Sequence, residues 1–308
     1  MNTQEQTRIL PSTEFSIHPR TRLGQVSLTV ADLDAQVAFY VQTLGMTLHW
    51  RDGDRAGLGV GGADLLRLTR RPGARRVHHV TGLYHFALVF PGRRELAHAV
   101  ARLFALKVRN YPTDHIMTKS TYLNDPEGNG IELYAESPED GMFVFEGGDF
   151  VTRRADGSLS DGREPLDLEA LFSHLTPEDR LENPLSRGTR LGHMHLHVSD
   201  LDEAVAFYHG LLGFDVMGIS KSFQAAFVSA GGYHHHIGLN TWQGVGAPPP
   251  PPGAVGLEDF TVVLPEEAAF EEEYARIAEA GIQVEPVENG VRLWYPSQNG
   301  VVITWRGR

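Results

Sequence analysis

The stretch TRLGQVSLTVADLDAQVAFYVQTLGM, residues 21–46, returns later in the chain as TRLGHMHLHVSDLDEAVAFYHGLLGF, residues 189–214. At a fixed offset of 168 residues, 15 of the 26 aligned positions are identical. The first ten residues alternate in the manner of a half-buried strand, and the segment DLDxxVAFYxxxLG has helical apolar spacing that ends at a glycine. The repeat therefore predicts two similar halves, each of which begins with a strand followed by a helix.

A weaker repeat pairs GLYHFALVFP (82–91) with GLEDFTVVLP (256–265), and each copy again precedes a helical stretch and a later strand. The chain thus contains four modules of one pattern, in which a strand and a helix are followed by further strands. We predict modules one and two at 21–136, and modules three and four at 189–308.

The remaining segments have a mixed or polar composition. Residues 137–188 are predicted to form a structured linker with a short helix near residues 166–174. Residues 1–20 are polar and contain two prolines, so they are predicted to form a loose N-terminal arm.

The overall composition is that of a globular protein, with 308 residues of which 41% are hydrophobic and 21% charged. No apolar run approaches the roughly 20 residues of a membrane span, and the N-terminus lacks the apolar core of a secretory signal. Cysteine is absent, which excludes disulfides and thiolate ligands and is compatible with a reducing cytoplasm. The net charge of −12 disfavours nucleic-acid binding. We therefore expect a cytoplasmic protein that binds neither membranes nor nucleic acids.

The segment TDHIMTKSTYLNDPEGNGIE, residues 113–132, contains a histidine, a tyrosine, a turn sequence and a glutamate at characteristic intervals. Together with the four modules, it resembles the vicinal-oxygen-chelate superfamily of glyoxalases, bleomycin-resistance proteins and extradiol dioxygenases. The resemblance is to the catechol 2,3-dioxygenase-like branch, and only Thr121 departs from the motif. It implies an α+β fold of four βαβββ modules whose curved sheets pair to form a cup. The matching residues are His115, Tyr122, Asp125, Pro126, Gly128 and Glu132.

In this superfamily, the metal ligands come from the first and last strands of paired modules. The resemblance places His85 and Glu132 of module two at these positions. The third ligand is Gln25 if modules one and two pair, and His193 if modules two and three pair. Only His193 completes a triad of two histidines and one carboxylate, which holds Fe(II) and leaves positions open for substrate and O₂. We therefore predict Fe(II) bound by His85, Glu132 and His193, with Mn(II) as the alternative ion.

Further histidines are candidates for proton transfer because their pKa values lie near neutrality. In GHMHLHV, alternate residues share one strand face at a spacing of about 6.8 Å, so only one of these histidines serves as a ligand. His195, two residues after the predicted ligand, is the first candidate base. The family resemblance further implies that Tyr122 and His115 hydrogen-bond the substrate.

The triplet in GGYHHHIGLN, residues 231–240, is the second source of candidate bases. A regular strand places His234 and His236 on one face and His235 on the other, unless the two glycines cause a bulge. We therefore predict His236 and His234 as proton-transfer residues rather than ligands.

The resemblance implies an Fe(II)-dependent extradiol dioxygenase that uses O₂ to cut the ring of a catechol or hydroquinone. A glyoxalase-type metal-dependent lyase or isomerase is one alternative. A non-catalytic protein that binds aromatic compounds, such as a resistance protein, is another. The oligomeric state stays open, with a homo-oligomer among the options.

Overall fold

The computed structural model describes residues 15–146, 149–294 and 297–305. The predicted α+β architecture of four modules is confirmed, and each module contains a strand, a helix and three further strands. Module one consists of β1 (Arg22–Val30), α1 (Leu33–Ala38) with a following π-helical turn (Phe39–Leu44), β2 (Thr47–Asp52), β3 (Arg55–Gly59) and β4 (Asp64–Arg70). Module two consists of β5 (Gly82–Phe90), α2 (Arg93–Ala105), β6 (Tyr111–Asp114), β7 (Thr118–Asn124) and β8 (Gly130–Glu136).

The segment between the halves contains short elements of its own. These are β9 (Gly141–Glu146), β10 (Asp149–Arg154), β11 (Leu159–Ser160), β12 (Glu164–Pro165) and the short helix α3 (Leu168–Phe172). Module three follows, with β13 (Arg190–His197), α4 (Leu201–Val205) and a π-helical turn (Ala206–Leu211), β14 (Asp215–Ser220), β15 (Ala225–Ser229) and β16 (Ile237–Asn240). Module four consists of β17 (Gly256–Val263), α5 (Glu267–Glu279), β18 (Glu285–Val287), β19 (Gly290–Trp294) and β20 (Gly300–Thr304).

The repeated DLD sequence starts the first helix of each half in the same way. The Asp32 carboxylate accepts a hydrogen bond from the N–H of Ala35 at 3.0 Å, and the Asp200 carboxylate accepts one from the N–H of Glu203 at 2.8 Å. Each aspartate thereby satisfies one of the N–H groups that a helix leaves without an internal partner at its N-terminus. The sequence prediction of a strand followed by a helix is confirmed in both halves.

Gly45, which ends the π-helical turn of module one, offers a test of the packing between modules one and two. Its φ of +85° is in the left-handed region, and an added Cβ would lie 1.6 Å from Nη1 of the buried Arg102. Arg102 donates to the backbone carbonyls of Leu44 and Leu181, and those bonds would be disturbed. We expect Gly45→Ala to lower the free energy of unfolding by about 2–4 kcal/mol in urea titrations. Gly53→Ala, where φ is also positive but no atom lies within 4 Å, should cost less, and equal costs would contradict the packing argument.

The sheets combine modules from different halves of the chain. Modules two and three, together with β12 of the linker, form a nine-stranded sheet, the inner sheet, in the order β12-β6-β7-β8-β5-β13-β16-β15-β14. Modules four and one form an eight-stranded sheet, the outer sheet, in the order β18-β19-β20-β17-β1-β4-β3-β2. At the centre of the inner sheet, β5 and β13 run antiparallel, and β8 lies parallel to β5 on the other side. Because both sheets are shared between the halves, the domain boundaries at 136 and 189 stay a prediction.

One apolar core joins the two sheets and the helices, with fully buried side chains such as Leu28 and Phe260 from the outer sheet and Phe86 and Met194 from the inner sheet. The predicted arm lies mostly outside the described residues, but its end packs on this core. Ile17 is 2% exposed, and its N–H donates to the carbonyl of Gly213 at 2.7 Å. Within the described residues, no helix is both long enough and apolar enough to span a membrane.

Candidate active site and metal centre

Three side chains from the centre of the inner sheet meet at one point. Nε2 of His85 on β5 and Nε2 of His193 on β13 are 3.2 Å apart, and they lie 3.2 and 3.0 Å, respectively, from Oε2 of Glu132 on β8. All three residues are buried, with at most 5% exposure. The pairing of modules two and three brings these strands together, so the sequence alternative that uses Gln25 as third ligand is not the arrangement observed.

The chemistry of this triad fits a divalent first-row metal ion. Cis ligands of such an ion, at bond lengths of about 2.1 Å, lie about 3 Å from one another, which matches the separations of the three donor atoms. Burial lowers the pKa of His85, so its imidazole is neutral, the form that binds metals. Burial alone would raise the pKa of Glu132, but His193 and His85 outweigh it and hold that pKa well below its usual value. The site therefore offers two imidazoles and one carboxylate to a cation.

Ser120, which was not among the residues predicted from the sequence, fixes the orientation of Glu132. Its Oγ–H donates to Oε1 of Glu132 at 2.7 Å, which leaves Oε2 directed at the two histidines. Such partners of a ligand restrict its rotation and tune the affinity for metal. Ser120 lies on β7 two residues before Tyr122, so strand alternation places both side chains on the same face of the sheet. This alternation could have identified Ser120 from the sequence.

The triad lies at the base of a pocket of about 690 Å³ whose walls are largely aromatic. Six of the aromatic side chains form two rows, and neighbouring rings within a row have centroids about 5 Å apart. The first aromatic row consists of Tyr84, Trp242 and Phe223, and the second consists of Phe143, Phe150 and Phe227. A cavity of this volume with aromatic walls and a few converging polar groups is typical of a small-molecule site.

Tyr122 and His115 are placed together beside the triad. Nδ1 of His115 is in contact with the carbonyl of Gly162, which can only accept, so Nδ1 carries a hydrogen. Nε2 of His115 and the Tyr122 hydroxyl oxygen lie 2.7 Å apart and share a hydrogen bond. Burial, together with the charge of Glu132, raises the pKa of Tyr122 well above its usual value. The phenol therefore stays protonated and is held in one orientation at the pocket wall.

His195 also lines the pocket, as its strand position predicts. Its ring centroid lies 5.1 Å from that of His85, and its Nε2 is buried without a hydrogen-bond partner among the described residues. Burial, followed by the neighbouring His85, lowers the pKa of His195 well below the usual value. The neutral ring can accept a proton, and its role as a base stays a prediction.

The predicted arrangement of the histidine triplet is wrong. Residues 231–236 form an irregular turn rather than a strand, since Gly231 and Gly232 have φ values of +62° and +76° and β16 begins only at Ile237. His234 and His235 both line the pocket, whereas His236 does not.

Within the triplet, the contacts of each ring define its environment. The His235 ring lies 4.3 Å from that of His193 and 4.7 Å from that of Phe227, and burial holds its pKa well below the usual value. Burial lowers the pKa of His234 to about 3. His236 instead points at β15, where its Nδ1 contacts the Ser229 hydroxyl at 3.0 Å. The pair of glycines was the signal that could have directed attention to His235.

The linker forms part of the pocket, which the sequence analysis did not predict. Strands β9 and β10 contribute Phe143 and Phe150, and the segment around β12 contributes Gly162 and Arg163. β12 adds to the edge of the inner sheet beside β6, where Glu164 pairs with Asp114. Linker residues thus cover the side of the cup that modules two and three leave open.

The outer sheet contains a second, smaller pocket of about 280 Å³ in the position related to the triad by the repeat. Gln25, Asp259 and Val302 stand there where the inner sheet has His193, His85 and Glu132. Arg292 on β19 places its Nε 2.9 Å from the Asp259 carboxylate. Asp259 is the single carboxylate of this set, and the Arg292 guanidinium already lies beside it. The set contains no histidine, so it lacks the donors of a metal triad.

Comparisons with known proteins agree with this architecture. The family model of the Glyoxalase/Bleomycin resistance protein/Dioxygenase superfamily matches residues 22–133 and 190–290. Catechol-2,3-dioxygenase of Bacillus subtilis (strain 168) is 40% identical over 293 residues, which cover 94% of this chain and 99% of that protein.

Solved structures share the fold at low sequence identity. A Bacillus subtilis subsp. subtilis str. 168 protein with a provisional dioxygenase name has a TM-score of 0.60 at 15% identity, with 94% of this chain and 86% of that chain covered. Glyoxalase I from Zea mays has a TM-score of 0.53 at 16% identity, with 92% of both chains covered. On the family match and the 40% identity, this chain belongs to the glyoxalase, bleomycin-resistance protein and dioxygenase superfamily.

Proposed function

We propose that this protein is an Fe(II)-dependent extradiol dioxygenase that cleaves the ring of a catechol or hydroquinone, with Mn(II) as the alternative ion. The observation that carries the proposal is the buried triad of His85, Glu132 and His193 at the base of an aromatic pocket. The 40% identity to a protein named catechol-2,3-dioxygenase supports the same reaction. The net reaction breaks one ring carbon–carbon bond next to a hydroxylated carbon and places both atoms of O₂ in the product.

The residues that line the pocket have distinct roles in the proposed reaction. When bound, Fe(II) supplies the open positions at which a diol and O₂ are held side by side. A diol must lose a proton to bind tightly, and the neutral rings of His235 and His195 line the pocket where they can accept it. The Tyr122 hydroxyl is held by its hydrogen bond with His115. Tyr122 lies on β7, opposite the ligand Glu132 on β8, and presents its oxygen to the substrate from there. The two aromatic rows hold the ring and exclude water.

One anaerobic experiment tests the reaction. The protein is purified, loaded with Fe(II) and mixed with catechol, methylcatechols and hydroquinones, and oxygen is then admitted while O₂ uptake and the yellow ring-fission product are recorded. We expect consumption of one O₂ per diol. If one iron is bound per chain and no diol consumes O₂, the dioxygenase proposal fails. Isomerase activity on a thiohemiacetal, or tight binding of diols without turnover, would identify the glyoxalase-type enzyme or the binding protein instead.

Tyr122→Phe is expected to lower kcat by roughly 10- to 100-fold while the iron content stays at the wild-type level. The change removes one hydroxyl, which is hydrogen-bonded to His115 and also interacts with Glu132, but which supplies no donor atom to the predicted triad. Steady-state O₂ uptake and iron analysis measure the two quantities. Loss of iron together with activity would show that Tyr122 supports the metal site rather than the substrate.

Other properties remain predictions of the sequence. A cytoplasmic location is proposed, and a chain that contains no cysteine is compatible with it. The proposed partners are an aromatic diol and O₂, and homo-oligomer formation stays a prediction.

A further inference from the structure

The pocket is much larger than a single-ring diol requires. Its volume of about 690 Å³ falls within the range of sites for drug-sized ligands, whereas catechol is one benzene ring with two hydroxyl groups. A diol bound at the triad would leave the outer part of the pocket without contacts. The unused volume indicates a substrate whose ring carries a further substituent.

The first aromatic row leads from the triad to the outer part of the pocket. The Tyr84 ring lies 4.9 Å from that of the ligand His85, and the Trp242 ring follows at 5.1 Å. Phe223 continues the row at 5.1 Å from Trp242, and Cζ of Arg163 lies 4.4 Å from the centre of the Phe223 ring. A substituent that packs along these rings therefore extends toward a guanidinium.

Arg163 is the one arginine or lysine that lines this pocket among the residues that the structure describes. Its guanidinium stacks on Phe223, which holds it in place, and it makes no ion pair within the described ranges. The two neighbouring acids also line the pocket, and each already has a hydrogen-bond or ion-pair partner. Glu164 pairs with Arg154, and the Asp161 carboxylate accepts from the backbone N–H of Arg163 at 2.9 Å.

We infer that Arg163 binds an anionic group at the end of the substrate's side chain, so that the substrate class is a catechol whose ring carries a side chain ending in a carboxylate. A guanidinium offers two parallel N–H donors that match the two oxygens of a carboxylate. The diol end then lies at the triad, the side chain lies between the two aromatic rows, and the carboxylate lies at the outer end. This inference rests on the proposed dioxygenase function.

The experiment compares two substrates of the same shape. Dihydrocaffeate, a catechol with a propanoate side chain, and its primary amide differ only in the charged group. We expect wild-type protein to favour the acid in kcat/KM, and Arg163→Gln to reduce the acid-to-amide ratio by about 10- to 100-fold. The ratio cancels any general effect of the substitution on folding or iron loading, and iron content is measured for each variant.

Arg153→Gln is the matched control, because Arg153 lies in the same linker, pairs with Glu146 and does not line the pocket. Its acid-to-amide ratio should equal that of the wild type. A wild-type ratio of one or less, or an Arg163→Gln ratio equal to that of the wild type, overturns the assignment of Arg163. If iron-loaded wild type cleaves no diol at all, including catechol, it is the dioxygenase proposal that fails.

Discussion

Glu132→Ala is expected to leave the purified protein with less than about 0.1 iron per chain and without measurable diol cleavage. The substitution removes the only carboxylate of the triad, since the other two donors are imidazole nitrogens. It also leaves the Ser120 hydroxyl without its buried acceptor. Metal analysis after anaerobic loading with Fe(II) and desalting measures the effect directly and does not depend on knowledge of the substrate.

His85→Ala and His193→Ala are expected to give the same result, because each removes one of the three converging donor atoms. Gln25→Ala is the matched control, as Gln25 occupies the position of His193 in the outer sheet, and it should retain one iron per chain. Among the residues that the structure describes, one competing group is formed by His193 with His234 and His235. Retention of iron by Glu132→Ala with loss of iron in His234→Ala would place the metal in that group and refute the predicted triad.

His235→Gln is expected to lower kcat by roughly 100- to 10,000-fold while iron binding is retained. The ring of His235 packs against the ligand His193 and the second aromatic row, so it lies beside the position of a bound diol. Burial keeps the ring neutral, and glutamine preserves its approximate size and polarity but cannot accept a proton. Single-turnover and steady-state rates with catechol, together with iron content, measure the two effects.

His236→Gln provides the control for this prediction. His236 is the adjacent histidine, but its ring contacts Ser229 and lies outside the pocket lining, so kcat should stay close to the wild-type value. Equal losses of kcat in the two variants would indicate that the triplet acts through the folding of the loop. A loss of iron in His235→Gln would mark His235 as a ligand and not as a base.

Local sequence patterns were sufficient for the parts of the site that lie on one hairpin. In the turn sequence DPEGNG, the Asp125 carboxylate accepts from the N–H groups of Glu127 and Asn129, and this closes the turn between β7 and β8. The resulting register sets Tyr122 directly opposite Glu132. Such contacts involve residues close in sequence, so the residue types alone specify them.

The pairing of the modules was a choice between alternatives that local patterns did not resolve. The edges of the first strands present similar backbone groups in all four modules, because the repeat conserves their alternation. The global packing of the core selects β5 beside β13 and β17 beside β1. That selection places His193, rather than Gln25, next to His85 and Glu132.

The sequence by itself determined the four repeated modules and the order of strand and helix in each, because strand alternation and helical spacing act over a few residues. The candidate ligands were predicted from the family resemblance. Only the tertiary structure decided which modules share a sheet, that the linker covers the pocket with Phe143, Phe150 and Arg163, and that His235 rather than His236 faces it. These features depend on contacts between residues far apart in the chain and on the positive φ angles of Gly231 and Gly232, which redirect the triplet.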